Sequence, residues 1–391
     1  MKICIVCPRL CHGGAERVAV SLANGFVGRG HEVVFFTDLY EEQTYVLNDA
    51  VKVQNLVPHT NNKLKKWGSA IRLLRKQLKR EKPDVIIGIM SLCSIVAKLA
   101  SAGMDIPVVA TEHNSFERPD EVGFSIWERL YKFHLTRVFD VLTVLTEADR
   151  SILGGKRKNV LVMPNPLIFV PVEVISSKDK VILAAGRVDN WHVKGFDVLI
   201  RAWGRVYGQL IIDNGKLSST GGTWKLVIAG VWRNPETRTY LDGIAKECVV
   251  LDKIEYTGFV DDMQKLYAES SVFVLSSRYE GFGLVLIEAM SQGCACIACD
   301  YKGRQREIIC PQGQGLKFNV QSSNNEVELC ETGILCEPDD VEALAEAMKK
   351  MIEDDEYRES VRAKAIERSK YYSIENTMDR WETLLKQVID S

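Results

Sequence analysis

The amino-acid sequence predicts an α/β protein made of two doubly wound, parallel-sheet domains in tandem. Three features carry this prediction: short apolar strands alternate with amphipathic helices in the first half of the 391 residues, a proline-rich segment stops the alternation, and the alternation then starts again. Repeated strand–helix units favour a parallel sheet with helices on both faces. A chain of this length also exceeds what one hydrophobic core usually holds.

In the first half, each predicted strand is a short apolar run that a helical pattern or a polar turn separates from the next. The predicted strands are residues 2–8, 31–37, 85–90, 108–111 and 141–145, and the predicted helices are residues 15–27 and the basic segment 63–82. Ligands bind outside the carboxyl ends of the strands in such sheets, so the segments after these strands are the first candidates for a site.

A linker is predicted where this alternation stops. Pro164, Pro166 and Pro171 lie close together, and a polar run of serine, lysine and aspartate follows at 176–180. Such segments are typical of domain boundaries. We therefore assign residues 1–166 to an N-terminal domain, 167–180 to the linker, 181–370 to a C-terminal domain and 371–391 to a terminal helix.

The second half repeats the pattern. The predicted strands are residues 181–185, 224–230, 254–257, 272–275 and 295–298, with a helix at 196–203 and charged helices from Val341 onward. Two polar segments, 213–222 and 302–332, interrupt the pattern and are predicted to be irregular. The second is long enough to form a mobile loop.

Composition and charge exclude several classes of protein. Hydrophobic residues make up 46% of the chain and charged residues 26%, which is typical of a soluble globular protein. The formal net charge of −2 gives no general affinity for polyanions, so we predict no nucleic-acid partner. The longest apolar stretch, residues 85–97, is shorter than the ~20 residues of a membrane-spanning helix. The apolar start at 2–7 is too short for a signal-peptide core, and we expect a cytoplasmic protein.

The eleven cysteines include two spacings that resemble metal sites. One is Cys4 with Cys7, near Cys11 and His12; the other is Cys296 with Cys299. Neither pair has a second matched pair at the usual zinc-site distance. We interpret these cysteines as small apolar core residues, and we predict no bound metal and no other cofactor.

The strongest candidate site lies in residues 276–293. A predicted strand ends near Ser276, a turn containing Gly281 and Gly283 follows, and an apolar helix runs to Gly293. Glycines let a ligand approach the backbone at a helix N-terminus, where unpaired N–H groups favour phosphate.

Two glutamates of this segment, Glu280 and Glu288, stand eight residues apart. The spacing corresponds to roughly 12 Å of rise if both were helical, which suits one long ligand better than a catalytic carboxylate pair. Glu288 lies among apolar neighbours, so its carboxylate needs a hydroxyl or cationic partner. The alternative is a solvent-facing helix glutamate beside an ordinary turn.

A family resemblance favours the ligand-binding interpretation. The motifs that carry it, in chain order, are Gly13-Gly14-Ala15-Glu16, Glu112-His113-Asn114, Pro164-Asn165-Pro166, Ala185-Gly186-Arg187 with Lys194-Gly195, Gly258-Phe259-Val260, the pair Glu280 and Glu288, and Leu335-Cys336-Glu337-Pro338-Asp339. In this order they resemble the retaining glycosyltransferases of the GT-B fold, family 4, over most of the chain. The resemblance implies two Rossmann-like domains facing a cleft, with the C-terminal helix returning towards the N-terminal domain.

The resemblance also implies residue roles. Glu280 would contact hydroxyls of the transferred sugar, and Glu288 would hold the nucleotide ribose. Arg187 and Lys194 match a cationic pair that binds the donor diphosphate, where fixed cations stabilise the departing charge without a metal. His113 would lie at the reaction centre near the donor sugar. The remaining implied donor-binding residues are Gly13, Gly14, Gly186, Gly258, Phe259, Val260, Gly281, Phe282, Gly283 and Leu284. The alternatives are an ordinary surface arginine and lysine and a structural histidine.

The basic segment 63–82 is the candidate acceptor region. It carries nine lysines and arginines against the single acid Glu81, and Trp67, Ile71, Leu74 and Leu78 form a stripe at helical spacing. Such a helix suits an anionic membrane surface or the pyrophosphate of a lipid-linked acceptor. The alternative is a helix that packs its stripe on the sheet and leaves a solvated basic face, and both interpretations can hold together. The candidate contacts are Lys65, Lys66, Arg72, Arg75 and Lys76.

The resemblance implies a retaining, metal-independent enzyme of bacterial polysaccharide or lipid-linked oligosaccharide synthesis, and the basic segment 63–82 favours a peripheral position at the inner face of the cell membrane. We expect a nucleotide-sugar donor, with a UDP-sugar favoured, and a glycan or polyprenyl-diphosphate-linked acceptor. Two departures from the family pattern, the turn 231–235 and Arg304-Gln305-Arg306 before Glu307, concern the base and the sugar. The rivals are a nucleotide-sugar epimerase, an inactive partner subunit, and a NAD-dependent oxidoreductase using Asp38, for which the glycine spacing is missing.

Overall fold

The computed structural model describes residues 1–11, 13–58, 63–119, 122–154, 157–173, 177–212, 224–313, 315–320 and 326–391. His12, the predicted irregular segment 213–222 and the side chain of Lys65 lie outside the described residues. The chain divides into two compact units, one formed by Met1–Ile168 with Tyr372–Ser391 and the other by Phe169–Tyr371.

The first unit contains a seven-stranded sheet. Its strands are β1 (Lys2–Val6), β2 (Glu32–Thr37), β3 (Lys52–Asn55), β4 (Val85–Ile89), β5 (Val108–Thr111), β6 (Val141–Val144) and β7 (Val160–Val162). They lie in the order β3-β2-β1-β4-β5-β6-β7, and every neighbouring pair is parallel. The central strands β4 and β5 are buried along their whole length, as expected where helices cover both faces. The strand order reverses beside β1, which places a ligand-binding switch point at its carboxyl end.

Five helices before the linker belong to this unit. They are α1 (Gly14–Gly28), α2 (Lys63–Glu81), α3 (Met90–Ser101), α4 (Ile126–Phe133) and α5 (Glu147–Ile152), with a short 3-10 helix at Leu135–Val138. The sequence predicts α1 and α2 because their apolar residues recur at helical spacing. The apolar stretch 85–97 breaks at Met90, whose φ of 63° turns the chain from β4 into α3.

The second unit contains an eight-stranded sheet. Its strands are β8 (Asp179–Ala185), β9 (Lys225–Ala229), β10 (Ile254–Gly258), β11 (Ser270–Leu275), β12 (Ala295–Cys299), β13 (Leu316–Asn319), β14 (Glu326–Cys330) and β15 (Gly333–Cys336), in the order β10-β9-β8-β11-β12-β15-β14-β13. The helices are α6 (Trp191–Lys194), α7 (Phe196–Ile212), α8 (Pro235–Glu247), α9 (Met263–Glu269), α10 (Leu284–Ser291), α11 (Arg306–Ile309), α12 (Val341–Glu353) and α13 (Asp355–Ser369).

The prediction of an irregular loop over 302–332 was wrong for the described part of that segment. Strands β13 and β14 pair antiparallel with each other, and β14 pairs antiparallel with β15, so the segment extends the sheet. The edge strand β13 is mostly exposed, and Lys317 pairs with Glu326 on its neighbour at 3.0 Å. Exposed polar residues of this kind protect a sheet edge, and they conceal the strand pattern in the sequence.

The last helix, α14 (Ile374–Ile389), belongs to the first unit. It buries Met378 and Trp381, and the Trp381 ring meets Phe26 of α1 edge-on at 6.5 Å. A Cβ at Gly25 of α1 would lie 2.6 Å from the Met378 sulfur, so the Met378 side chain of α14 packs directly on this glycine. Polar contacts flank the apolar seam, including Arg29 to Asp379 at 2.6 Å.

The cysteines are apolar core residues, as predicted. All eleven are unbridged, and all except the partly exposed Cys248 are buried. Burial raises the pKa of the Cys299 thiol to about 12, so that side chain stays neutral. Among the described residues, no helix is both long enough and apolar enough to cross a membrane.

Candidate functional site

Two loops of the second unit lie against each other at the carboxyl ends of β8 and β11. The Ser276 hydroxyl donates to the Lys194 carbonyl at 2.9 Å, and the Arg278 amide donates to the Val193 carbonyl at 2.9 Å. Gly195, with φ of 64°, permits this contact, since a Cβ there would lie 1.9 Å from the Ser276 oxygen. The chain therefore holds the loop of Lys194 on the loop of Glu280.

The two predicted charged residues meet directly. The Lys194 ammonium donates to Glu280 Oε1, and the Ser277 hydroxyl donates to the same oxygen at 2.9 Å. The Lys194 and Glu280 side chains are only 21% and 17% exposed, so the pair is largely shielded from water but remains accessible to a ligand. The stem of Lys194 passes over Gly186, where an added Cβ would come within 3.3 Å of it. The structure thus brings Gly186, Lys194 and Glu280 together.

Arg187 follows Gly186 and differs from Lys194 in its surroundings. Its side chain is exposed, and no acceptor or acid in the described part of the chain pairs with it. The segment after Gly186 therefore carries an exposed arginine with no partner among the described residues, followed by a lysine that Glu280 holds in place. Such an arrangement suits an incoming anion with several oxygens, since arginine presents a planar fork of donors.

The glycine turn leads into α10 as the sequence predicts. Gly283 is the N-cap with φ of 89° and has no side chain to cap the first turn. The Leu286 amide donates to the Gly283 carbonyl at 2.9 Å, while the amides of Leu284 and Val285 have no partner among the described residues. Gly281 precedes Phe282. The Phe282 ring is buried, so it packs inside the unit and does not form part of the loop surface. The turn that follows Glu280 therefore offers backbone N–H groups that can donate to a phosphate.

Glu288 has the hydroxyl partner that its apolar surroundings require. The Tyr267 hydroxyl of α9 donates to Glu288 Oε2 at 3.4 Å, and Glu288 is only 3% exposed. The alternative of a solvent-facing helix glutamate is thereby excluded. Glu280 and Glu288 differ accordingly: the first lies in a charged, partly open loop, and the second lies inside the packing of α9 and α10.

The two remaining segments of the predicted donor site border β9 and β10. Gly258 ends β10 with φ of 73° and accepts from the Gly230 amide at 2.9 Å, while Phe259 is exposed and Val260 is half-buried. The unusual turn after β9 is fixed to the Arg187 segment, because the Asp189 carboxylate accepts from the amides of Arg233 at 2.8 Å and Asn234 at 3.2 Å. These amides lower the pKa of Asp189.

Sequence reasoning missed the residue that joins these loops, Arg278. Its guanidinium donates to both carboxylate oxygens of Asp197 at 2.8 Å, and its Nε pairs with Asp339 at 2.6 Å. The same side chain donates to the His192 carbonyl at 2.5 Å. Its partners lie 61 to 86 positions away in the sequence, so no local motif reveals the role.

In the first unit, Gly13 is the N-cap of α1 and Gly14 is its first residue. A Cβ at Gly13 would lie 1.8 Å from Glu16 Oε2, so the Glu16 carboxylate folds back over the start of its own helix. Arg9 Nε donates to that carboxylate at 3.2 Å. The helix N-terminus that the glycine motif marks therefore already faces an acid of the protein.

His113 has protein partners at both ring nitrogens. Its Nδ1 lies 3.1 Å from Asn165 Oδ1, and its Nε2 lies 3.1 Å from the Thr111 hydroxyl. Burial lowers the pKa of the ring to about 4, so the imidazole is neutral at pH 7. The contact joins two of the predicted motifs, Glu112-His113-Asn114 and Pro164-Asn165-Pro166.

The α2 helix packs its apolar stripe inward. Leu74 and Leu78 are fully buried in the first core, with Trp67 and Ile71 packed at its margin. Lys66 is paired with Asp38 at 2.6 Å, and Arg75 donates to the carbonyls of Ala100 and Ala102 at 2.9 and 2.7 Å. Arg72 and Lys76 are exposed. The structure therefore supports the solvated basic face, and among the described side chains of this helix the apolar stripe packs towards the core.

Two further possibilities can be weighed from the geometry. The Asp38 carboxylate, which a NAD-dependent enzyme would use for a ribose, is already bonded to Lys66 and to the Tyr40 amide at 3.0 Å. Among the described residues, one group has metal-ligating atoms within 4.8 Å, formed by Cys310, Glu328 and Cys330. Arg306 holds the Glu328 carboxylate through two bonds at 2.8 and 2.7 Å, so this acid is committed to an ion pair.

Several known proteins are similar to this chain over almost its whole length. The chain is 27% identical over 397 residues to the Campylobacter jejuni enzyme named GalNAc-alpha-(1->4)-GalNAc-alpha-(1->3)-diNAcBac-PP-undecaprenol alpha-1,4-N-acetyl-D-galactosaminyltransferase, covering 99% of each chain. It superimposes on sucrose-phosphate synthase from Thermosynechococcus elongatus with a TM-score of 0.77 at 18% identity, over 100% of this chain and 99% of that one. Anabaena HepE in complex with UDP and glucose gives a TM-score of 0.73 at 17% identity, over 99% and 100%.

Family models match both units of the chain. The family described as Glycosyltransferase Family 4 matches residues 12–167, and the family described as Glycosyl transferases group 1 matches residues 169–368. The two parallel sheets and the solved neighbours identify the fold as GT-B. The chain therefore belongs to the group 1 glycosyltransferases and is an enzyme of that family.

Proposed function

We propose that the protein transfers a sugar from a nucleoside-diphosphate sugar, with a UDP-sugar the favoured donor, and retains the anomeric configuration without a metal ion. The observation that carries the proposal is the contact of Lys194 with Glu280, with the exposed Arg187, which has no partner among the described residues, on the preceding loop. We assign donor binding to the second unit, where these residues lie, and acceptor contacts to the first.

The chemistry requires positive charge where the nucleoside diphosphate leaves. Departure concentrates negative charge on the phosphate oxygens, and fixed cations stabilise it more than they stabilise the bound donor. Arg187 and Lys194 supply that charge, and the open amides at the start of α10 add donors for the phosphates. This supply is the reason to propose metal independence; retention follows the family resemblance.

Glu280 has two roles in this proposal. Both described contacts of its carboxylate fall on Oε1, which leaves Oε2 for a hydroxyl of the transferred sugar. By holding Lys194, the same carboxylate sets the position of the ammonium before the donor arrives. Glu288, further along the helix, is assigned to the nucleotide ribose, where Tyr267 fixes one of its oxygens.

The acceptor is proposed from the relatives and the basic face of α2. The Campylobacter jejuni enzyme is named for an undecaprenol-diphosphate-linked acceptor, and another relative is the amylovoran biosynthesis glycosyltransferase of Erwinia amylovora. We therefore place this protein in bacterial surface-polysaccharide or lipid-linked oligosaccharide synthesis at the inner face of the membrane. Arg72 and Lys76 are the cations available for an acceptor diphosphate.

The test is a screen of UDP-, GDP- and ADP-sugars for release of the nucleoside diphosphate, with and without EDTA. The proposal expects one UDP-sugar to dominate and EDTA to leave the rate unchanged; loss of turnover with EDTA, restored by a divalent ion, would contradict metal independence. Proton NMR of the glycoside product gives its anomeric configuration. Conversion of the sugar to its epimer without release of UDP would instead favour the epimerase.

A further inference from the structure

Helix α4 of the first unit has its polarity reversed. Ile126 and Trp127 are 83% and 78% exposed, and Leu130, one turn further on, is also exposed. On the opposite side the helix buries Lys132, whose ammonium donates to Glu112 at 2.7 Å and to the Asn114 carbonyl at 3.2 Å. A surface helix ordinarily places its lysine in water and its tryptophan in the core.

Local sequence and core packing fix this orientation without help from the exposed side chains. Ser125 and Glu128 form a capping box at the start of the helix, which sets where the helix begins. Tyr131 packs in the core, and Lys132 lies 4.2 Å from the centre of the Phe116 ring. Ile126 and Trp127 therefore contribute little to folding, and their exposure calls for a surface outside the chain.

The exposed apolar residues have cations around them. Arg129 and His134 are exposed beside them, and the next turn, Leu135–Val138, adds an exposed Arg137 between the exposed Leu135 and Val138. Over residues 126–138 the single acid, Glu128, is paired with Arg118 at 3.1 Å. Tryptophan with aliphatic residues inside a basic margin matches the boundary between the acyl chains and headgroups of an anionic bilayer.

We infer that the α4 surface, formed by Ile126, Trp127, Arg129, Leu130, His134 and Arg137, inserts its apolar residues into an anionic lipid bilayer. This inference rests on the proposed function only for the presence of a membrane near the protein. The contact of α4 with lipid itself requires neither the sugar donor nor the acceptor. It also moves the apolar anchor away from α2, whose stripe is buried. The basic face of α2 then supplies charge alone.

The test is co-sedimentation of the full chain with vesicles of phosphatidylcholine and phosphatidylglycerol, and with vesicles of phosphatidylcholine alone. The Ile126→Ser/Trp127→Ser double variant should lose about tenfold or more in affinity for the anionic vesicles, since fully burying even one such side chain is worth about tenfold in binding. Val46→Ser is the matched control, because Val46 is 81% exposed in the same unit and should change nothing.

Three outcomes decide the inference. Arg129→Gln/Arg137→Gln should weaken binding to anionic vesicles most at low salt, and circular dichroism should show all variants folded. Equal vesicle binding by the serine variant and the wild type would overturn the inference, as would a dimer in sedimentation equilibrium that the serine variant abolishes. Release of UDP from a water-soluble donor is measured in parallel, so a failed donor assay and a failed membrane contact are told apart.

Discussion

The candidate residues of the two units are in different states. In the second unit, Lys194 and Glu280 come from loops more than 80 residues apart and meet in a shielded pair, while Arg187 beside them has no described partner. In the first unit, His113 has both ring nitrogens bonded, and the start of α1 faces Glu16. The charged chemistry of the second unit is therefore assembled before a ligand arrives, whereas the polar groups of the first unit are already committed.

This difference separates residues that sequence motifs mark equally well. A polar group that already has a hydrogen bond within the protein must give up that bond before it can bind a ligand. The exchange of one hydrogen bond for another therefore adds little to the free energy of binding. A charged group that is already held in position and partly shielded from water needs no such exchange. Its electrostatic interaction with a ligand becomes stronger as the ligand excludes water. We therefore expect substitutions in the second unit to change turnover and binding, and substitutions in the first to change stability or surface binding.

The largest expected effect is that of Lys194→Ala. Removing the ammonium should lower kcat by about 10²- to 10³-fold, the usual cost of one fixed donor to a developing negative charge. Arg187→Ala should likewise act mainly on kcat. Steady-state kinetics of UDP release measures both. The matched control is Lys225→Ala, which breaks an exposed Lys–Glu pair of 2.8 Å elsewhere in the unit. Full activity in Lys194→Ala would contradict the assignment of the donor site to these residues of the second unit.

The next effect concerns His113 and pH. The folded ring has a pKa of about 4, against about 6.5 in an unfolded chain. Between those values the unfolded state binds the extra proton, so the free energy of unfolding falls as pH falls from about 6.5 to 4, by up to about 3 kcal/mol. In His113→Gln this contribution disappears, and urea denaturation across that window should show a shallower loss of stability.

His134→Gln is the control for that measurement, because His134 is exposed. The same pH slope in the wild type and in His113→Gln would show that the ring is not buried in its neutral form. That result would also allow His113 to act in the first unit as a positively charged side chain.

Glu288→Gln should have an intermediate effect on donor binding. The amide retains the shape and the Tyr267 contact but loses the charge that strengthens a bond to ribose hydroxyls, worth about 1.5–3 kcal/mol. We expect UDP affinity to fall by about tenfold or more, with kcat little changed once the donor saturates. Isothermal titration with UDP measures this directly. A loss confined to kcat would place Glu288 with the reacting groups instead of the nucleotide.

The smallest effect is expected for Arg72→Gln/Lys76→Gln on α2. Each exposed cation near an anionic surface is worth up to about 1 kcal/mol, so vesicle binding should weaken several-fold or more and become less dependent on salt. Lys66 and Arg75 are poor choices for this test, because each holds acceptors of the protein itself. Lys180→Gln, exposed in the second unit, is the control, and equal binding by both variants would leave α2 without a surface role.

Much of the fold and the local part of the site could be predicted from the sequence. Apolar runs such as Val85–Ile89 and Val108–Thr111 stand out because both faces of a parallel strand are buried. The polar edge strand β13 was missed because exposed edges resemble loops. Glu280 and Glu288 lie in one motif, but their partners Lys194 and Tyr267 depend on tertiary packing. The role of Arg278 arises from contacts distant in sequence, and the reversed polarity of α4 arises from its capping box together with the core contacts of Tyr131 and Lys132.

The close approach of α14 to α1 has a consequence for how the protein is made. During synthesis the first unit is produced up to Ile168, but the helix that covers Phe26 comes from the last twenty residues of the chain. The ribosome must therefore release the entire second unit before the first can close its core. In the interval the apolar face of α1 is uncovered, and a truncated or stalled chain would present that face to chaperones and proteases.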